Sequence, residues 1–220
     1  MAKHKIGWLP GDGVGKDVME AARIVLDKLG FDAEYHHGDI GWSFWCKEGN
    51  ALPERTIKML RKTDACLFGA ITSKPKDEAE KDLDPSLRGK GLVYQSPILQ
   101  LRQEFNLHTN IRPSKAYAGN PLNHREDVNL VVFRESTECL YVGIEFHPVP
   151  APVMQTLMEY HPRARKYRDT DLNDIALSCR VMTRARCEGI ARSAFEYARR
   201  HGYRSVTAVE KPNVTRETSG

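Results

Sequence analysis

Several things are missing from this sequence, and each absence removes a class of function. No uninterrupted apolar run approaches the roughly 20 residues that a membrane-crossing helix needs. No apolar signal-peptide core follows the opening Met1-Ala2-Lys3-His4-Lys5. The five cysteines (Cys46, Cys66, Cys139, Cys179 and Cys187) are odd in number and widely spaced, with no C-x-x-C pair. That pattern argues against a disulfide framework or a zinc site, and for reduced thiols in a cytoplasmic protein. There is no strong excess of one charge: 33 basic residues against 29 acidic ones leave a net +4, and the basic ones are scattered. A nucleic-acid partner is therefore not expected, nor is a membrane. Internal repeats and low-complexity segments are also lacking. What remains is a 220-residue chain, 40% hydrophobic and 28% charged, with the balance of a soluble globular protein that can bury a core.

The periodicity of its apolar residues predicts alternating strands and helices. Ile6 to Leu9 reads as a strand running into Pro10-Gly11-Asp12-Gly13-Val14-Gly15. A helix should follow with Val18, Ala21, Ala22, Val25 and Leu29 inward and Gly30 as its stop. Phe31 to His36 reads as a second strand, and Pro53 opens a helix that turns Ile57 and Leu60 inward. Asp64 to Ile71 suits a strand buried on both faces. Residues 74 to 91 read as a polar surface loop. Ser96-Pro97 reads as a helix N-cap and first turn, with Ile98, Leu101 and Phe105 lining the helix. Val128 to Phe133 is a further strand. Residues 146 to 173, rich in proline and with a basic cluster at Arg163 to Arg168, look like an inserted arm. Ile175 to Val181 returns to a strand pattern, and Thr183 to Arg200 is an amphipathic helix closed by Gly202. Ser205 to Val209 reads as a last strand. The order implies an α/β architecture. Because a parallel-type sheet would normally continue past Ser219-Gly220, a complete protein is expected to extend beyond that end.

Two readings compete for the opening glycine turn. A strand, a glycine-rich turn and a helix can cradle a phosphate, and Glu34 lies where a Rossmann fold keeps its ribose-binding acid, about 20 residues on. Yet the spacing is G-x-G-x-G and Pro10 sits inside the turn, so a tight structural turn built from glycines is the other reading. Three arginines stand in informative places: Arg102 on a helix, Arg112 in Asn110-Ile111-Arg112-Pro113, and Arg134 at the end of the Leu130–Phe133 strand. Guanidinium forks suit carboxylates, and three could hold a di- or tricarboxylate. Taken one at a time, each could equally be a surface ion pair. Tyr141 and Lys211 are candidate acid and base, with packing and solvation as their plain alternatives.

Taken together, these segments resemble the β-decarboxylating dehydrogenases, the family of isocitrate, isopropylmalate, homoisocitrate and tartrate dehydrogenases. The resemblance runs in order through Gly11-Asp12-Gly13-Val14-Gly15, Gly69-Ala70-Ile71-Thr72, Leu101-Arg102 with Asn110-Ile111-Arg112-Pro113, Arg134-Glu135-Ser136-Thr137-Glu138 with Tyr141, and Glu210-Lys211-Pro212-Asn213-Val214. It implies the α/β isocitrate/isopropylmalate dehydrogenase-like fold, incomplete at the C-terminus and with an inserted clasp-like arm. Residues 1–107 would be the first part of a large α/β domain. Residues 108–138 and 184–220 would be part of a small dimerisation domain, and 139–183 the arm. It further implies that the glycine turn is structural, that Arg102, Arg112 and Arg134 hold substrate carboxylates, and that Thr72 contacts the cofactor. Tyr141 and Lys211 would be the acid–base pair, with Lys211 reaching a partner subunit's site in a dimer or tetramer. The cofactors implied are NAD or NADP with Mg2+ or Mn2+. The metal's aspartate ligands are expected beyond Gly220, so no metal ligand is assigned, Asp12 and Asp17 included.

The substrate signals diverge. Ser96, six residues before Arg102, is placed like the serine that binds the extra carboxylate in isocitrate and homoisocitrate dehydrogenases. Ser96-Pro97-Ile98 is closer to homoisocitrate enzymes. Phe68 stands where bacterial NADP-linked isocitrate enzymes carry a lysine, while the long stretch from Tyr141 to Lys211 is closer to bacterial isocitrate enzymes. Isocitrate is favoured, with homoisocitrate and 3-isopropylmalate as alternatives. Outside this family, a Rossmann-type nucleotide module or a non-catalytic fragment are the competing readings.

Overall fold

The computed structural model describes residues 3–218 and divides the chain into two units, Met1–Leu101 and Arg102–Gly220, each with its own packing. The first unit is a three-stranded parallel sheet in the order β2-β1-β3, with β1 at His4–Gly11, β2 at Ala33–His37 and β3 at Ala65–Ala70. Helix α1 (Gly15–Lys28) links β1 to β2. Helices α2 (Trp42–Glu48) and α3 (Glu54–Leu60) link β2 to β3. The central strand supplies the buried Ile6, Trp8 and Leu9, which is why its apolar run is continuous. Strand β3 is only half-buried among the described residues, against the expectation of burial on both faces.

Helix α1 turns a different face inward from the one its apolar stripe predicts. Gly15 and Met19 are buried, whereas Val18, Val25 and Leu29 are exposed, Leu29 by 74%. The cause is backbone proximity. A Cβ on Gly15 would meet Pro10 O at 2.2 Å, and one on Gly69 would meet Gly15 O at 2.7 Å, so the helix is seated on its glycine against β3. That close approach sets the helix rotation, and the valines follow it outward. Residues 74–91 also depart from the expected surface loop. They contain α4 (Lys76–Lys81), and Ala79 and Leu83 are buried with Trp42, Trp45 and Ala51. Trp45 Nε1 donates to Ala79 O at 2.7 Å, so the charged residues of this stretch are the outer side of an aromatic-lined core.

The unit boundary falls within α5 (Pro97–Glu104), whose first bond runs from Gln100 N–H to Ser96 O. In the second unit, β4 (Thr109–Lys115) and β5 (Asn129–Glu135) form an antiparallel ladder. Helix α7 (Arg184–His201) packs on it, with Tyr197 edge-on to Phe133 at 5.2 Å. Thr183 Oγ1 caps α7 and Gly202, at φ 72°, ends it. The proline-rich stretch is an excursion whose two ends pair: β6 (Glu145–Phe146) with β7 (Leu177–Ser178), and Cys139 with Val181. Between them lie α6 (Ala151–Tyr160) and two 3-10 turns, at Pro162–Tyr167 and Leu172–Asp174. The expected strand at 175–181 is thus reduced to a two-residue rung and a bridge. Residues 205–209 form no strand among the described residues: a strand needs a ladder partner, and Val209 is 94% exposed. No described helix is long and apolar enough to cross a membrane.

Candidate active site

The glycine turn is occupied by its own chain. A Cβ on Gly11 (φ 76°) would meet Ala70 O at 1.9 Å, so the turn lies directly against the end of β3. Between the glycines, the Asp12 carboxylate accepts the N–H of Trp42 through one oxygen and that of Thr72, at 2.6 Å, through the other. Asp12 N–H donates to Ala70 O, and Gly15 N–H to Asp12 O. These bonds tie β1, the loop after β3 and the first turn of α2 together. Glu34, the acid of the Rossmann alternative, lies beside His36 Nε2 at 3.3 Å. Of the residues expected to meet ligands, Thr72 is thus held at its N–H by Asp12, while Ser96 is half-buried at the start of α5.

The second unit assembles four of the expected residues. Arg102 lies in the last turn of α5, Arg112 on β4, Arg134 near the end of β5, and Tyr141 in the 3-10 turn Leu140–Val142. The Arg102 and Arg134 guanidiniums both lie 5.5 Å from the centre of the Tyr141 ring. Asn110 is directly opposite Arg134 in the ladder, and opposed residues share a face, as do residues two apart on one strand. Arg112 is therefore on the same face, and its Nε donates to Asn110 Oδ1 at 2.9 Å. Among the described residues no carboxylate pairs with Arg102, Arg112 or Arg134. Arg134 Nε is buried without an acceptor, and Ser136 Oγ, on a residue 1% exposed, is buried without a partner. Each such group costs about 1–3 kcal/mol until something satisfies it. Positive charge with uncommitted donors fits an anionic, oxygen-rich ligand.

The acids nearby in sequence are turned to other tasks. Glu135 accepts from the N–H groups of Thr137 and Glu138 and from the Thr137 hydroxyl. Burial alone would raise its carboxyl, but these donors outweigh it and hold the group below the usual carboxylate range. Glu138 accepts from Thr183. Asn110, Ser136 and this pair of glutamates were not singled out from sequence; the clue available was only their place inside the Arg-Glu-Ser-Thr-Glu run and next to Arg112. Lys211 is exposed where the chain turns at 212–214, its carbonyl accepting from Val214 and Thr215 N–H. No strand immediately precedes it among the described residues, although residues 205–209 read as one in sequence. Among the described residues no group of three or more His, Cys, Asp or Glu side chains converges so as to hold a metal ion.

Residues 5–220 match the family described as isocitrate/isopropylmalate dehydrogenase. Over 216 residues the chain is 37% identical to 3-isopropylmalate dehydrogenase of Archaeoglobus fulgidus, covering 98% of this chain and 53% of that protein. It is 35% identical to homoisocitrate dehydrogenase of Methanocaldococcus jannaschii, covering 98% of this chain and 54% of that one. It is also 35% identical to protein DlpA of Legionella pneumophila, covering 97% of this chain and 34% of that protein. Among solved structures, isocitrate dehydrogenase from Methylococcus capsulatus superposes with a TM-score of 0.76 at 33% identity, covering 98% of this chain and 53% of that one. The chain therefore spans between about a third and about half of the relatives it matches. With the α/β fold, the arginine face and a match running almost from end to end, the chain belongs to the isocitrate/isopropylmalate dehydrogenase family.

Proposed function

We propose that the protein built from this chain oxidises and decarboxylates a 2-hydroxy acid bearing a β-carboxylate, with NAD or NADP as hydride acceptor and Mg2+ or Mn2+ as its metal. The observation that carries this reading is the Tyr141 ring against both the Arg102 and Arg134 guanidiniums, with Arg112 on the same ladder face as Arg134. Two or three guanidiniums beside one phenol match a substrate with two or three carboxylates whose reaction ends in a proton transfer. NAD or NADP, when bound, would supply the hydride acceptor for the carbinol carbon. Mg2+ or Mn2+ would supply a Lewis acid for the substrate oxygens.

In this reading Arg102, Arg112 and Arg134 hold the carboxylates and fix the carbinol carbon. The buried Arg134 Nε and Ser136 Oγ find their missing partners on the ligand. Tyr141 Oη donates a proton to the carbon left by departing carbon dioxide, and Lys211 takes the hydroxyl proton in the site of a second copy of the chain. Thr72 meets the cofactor. The Ser96 hydroxyl offers a donor to a third carboxylate, which isocitrate and homoisocitrate carry and 3-isopropylmalate lacks, and the long stretch from Tyr141 to Lys211 tips the choice to isocitrate. The 139–183 excursion pairs with its counterpart in a dimer. The test is reduction of NAD and of NADP by the full-length protein given each of the three acids with Mg2+ or Mn2+. Turnover of one acid, with KM raised at least tenfold by Arg134→Gln (about 1.4 kcal/mol), supports the reading. Turnover of none, with none bound, overturns it.

A further inference from the structure

The turn that carries Tyr141 is fastened to a distant helix by one side chain. The Glu138 carboxylate accepts the Thr183 N–H at 2.6 Å through one oxygen and the Thr183 hydroxyl at 2.8 Å through the other. Arg186 Nε stands 4.0 Å from it. Thr183 Oγ1 in turn accepts the N–H of Arg186 at 3.3 Å, so it receives one bond and gives one. Glu138 is thereby built into the first turn of α7, an 18-residue helix. Its side chain is 17% exposed, so the latch is largely screened from water.

The same residue holds Tyr141 through its main chain. Tyr141 N–H donates to Glu138 O at 3.2 Å, closing a turn over Cys139 and Leu140. Cys139 N–H donates to Val181 O at 2.8 Å, two residues before Thr183. Glu135 secures the other side of Glu138 by accepting its N–H at 2.7 Å. Glu138 thus sits where three restraints meet: strand β5 through Glu135, helix α7 through Thr183, and the Tyr141 turn through its carbonyl. The Tyr141 ring is touched by the Arg102 and Arg134 guanidiniums, each 5.5 Å from its centre, contacts that leave the reach of the phenol to the turn that carries it.

We infer that Glu138 is a positioning residue: its carboxylate, latched to Thr183, sets where Tyr141 lies against Arg102 and Arg134, and so couples the seating of α7 to the proton-transfer step. The inference rests on the reading of Tyr141 as the proton donor. A merely structural Glu138 would serve only as a second cap on α7, and its loss would lower stability without acting through the phenol.

The experiment is a double-mutant cycle in the full-length enzyme, with kcat, substrate Kd and the solvent deuterium isotope effect on kcat measured for Glu138→Gln, Tyr141→Phe and the pair. A glutamine exchanges two charged acceptors for one neutral acceptor and one N–H2, which the Thr183 hydroxyl can meet only by reversing its bond, so the latch weakens without a change of volume. A displacement of about 1 Å lowers a positioned step by up to about 10²-fold, so Glu138→Gln should reduce kcat by about 10- to 100-fold while Kd stays within about twofold. The isotope effect should rise, and Glu138→Gln should have no further effect once Tyr141 is phenylalanine. Thr183→Val slackens the same latch from its other end and carries the same cycle if Glu138→Gln does not fold. Unchanged kcat in a folded latch variant overturns the inference, as do latch and Tyr141→Phe effects that multiply independently. If Tyr141→Phe alone leaves kcat unchanged, the acid assignment falls and the inference with it, which separates the two failures.

Discussion

Replacing Cys139 by glycine should stabilise the protein, and replacing it by alanine should not. Cys139 sits at φ 63°, ψ −123°, and Tyr141 N–H closes back on Glu138 O. That is the first central position of a type II′ turn, which glycine fills without penalty and an L side chain fills under strain. The strain is worth about 1–3 kcal/mol. Glycine removes it but loosens the unfolded chain by about 0.4–1 kcal/mol. It also loses the contact from Arg180 Nε to Cys139 Sγ at 3.2 Å, a bond to a poor acceptor worth about 0.5 kcal/mol. The net expectation for Cys139→Gly is a gain of about 1 kcal/mol, or about 2–4 °C in Tm for a chain of this size. Cys139→Ala keeps the strained Cβ and loses only the sulfur, so it should be destabilised by about 0.5 kcal/mol. Urea midpoints at constant m-value give both numbers, and hydrogen exchange at the Tyr141 amide locates the change. Alanine matching or exceeding glycine would refute the strain argument.

Three further outcomes are expected. Ser96→Glu should abolish turnover by setting a carboxylate beside a carboxylate ligand, while Ser96→Ala should cost about 1–3 kcal/mol in kcat/KM; normal kcat/KM in the glutamate variant would leave Ser96 as a helix cap only. Lys211→Met should lower kcat by about 10²–10⁴ with substrate Kd unchanged, and a raised Kd at unchanged kcat would remove Lys211 from the acid–base role. Glu135 is held below the usual carboxylate range, so its contribution to stability is present above the ordinary glutamate value, about 4.3, and is lost as pH falls through the lower folded value. Urea midpoints recorded on acidification should therefore fall less steeply for Glu135→Gln than for the parent, and identical slopes would contradict the assignment.

What the sequence made legible was whatever depends on neighbours along the chain. The run from Ile6 through the glycines into a helix could be read because strand period, turn residues and helix period follow one another within 25 residues. The caps on α7, Thr183 and Gly202, were visible for the same reason. The inward face of α1 was not, because it is decided by how closely Gly15 approaches the main chain of Pro10 and Ala70, which no apolar stripe records. Ala79 and Leu83 were hidden among charges, four residues apart on the one face that meets the tryptophans. A strand at 205–209 was read from β-prone residues alone, but a strand also needs a ladder partner. The grouping of Arg102, Arg134 and Tyr141 was accessible through motif resemblance; the Glu138–Thr183 latch, 45 residues apart in sequence, was not.

Asp12 gives the opening turn a different character from the glycine turns it resembles on paper. Elsewhere such a turn imports its anion, and the protein's geometry is complete only when a phosphate arrives. Here the anion is covalently built in, and its two oxygens take the Trp42 and Thr72 amides. The turn thus holds its two converging amides on a carboxylate of its own chain. An Asp12→Gly chain would turn that internal tie into dependence: two converging amides would be left with a vacancy the size of a carboxylate, and added formate or acetate should restore in solution the order that the side chain now guarantees.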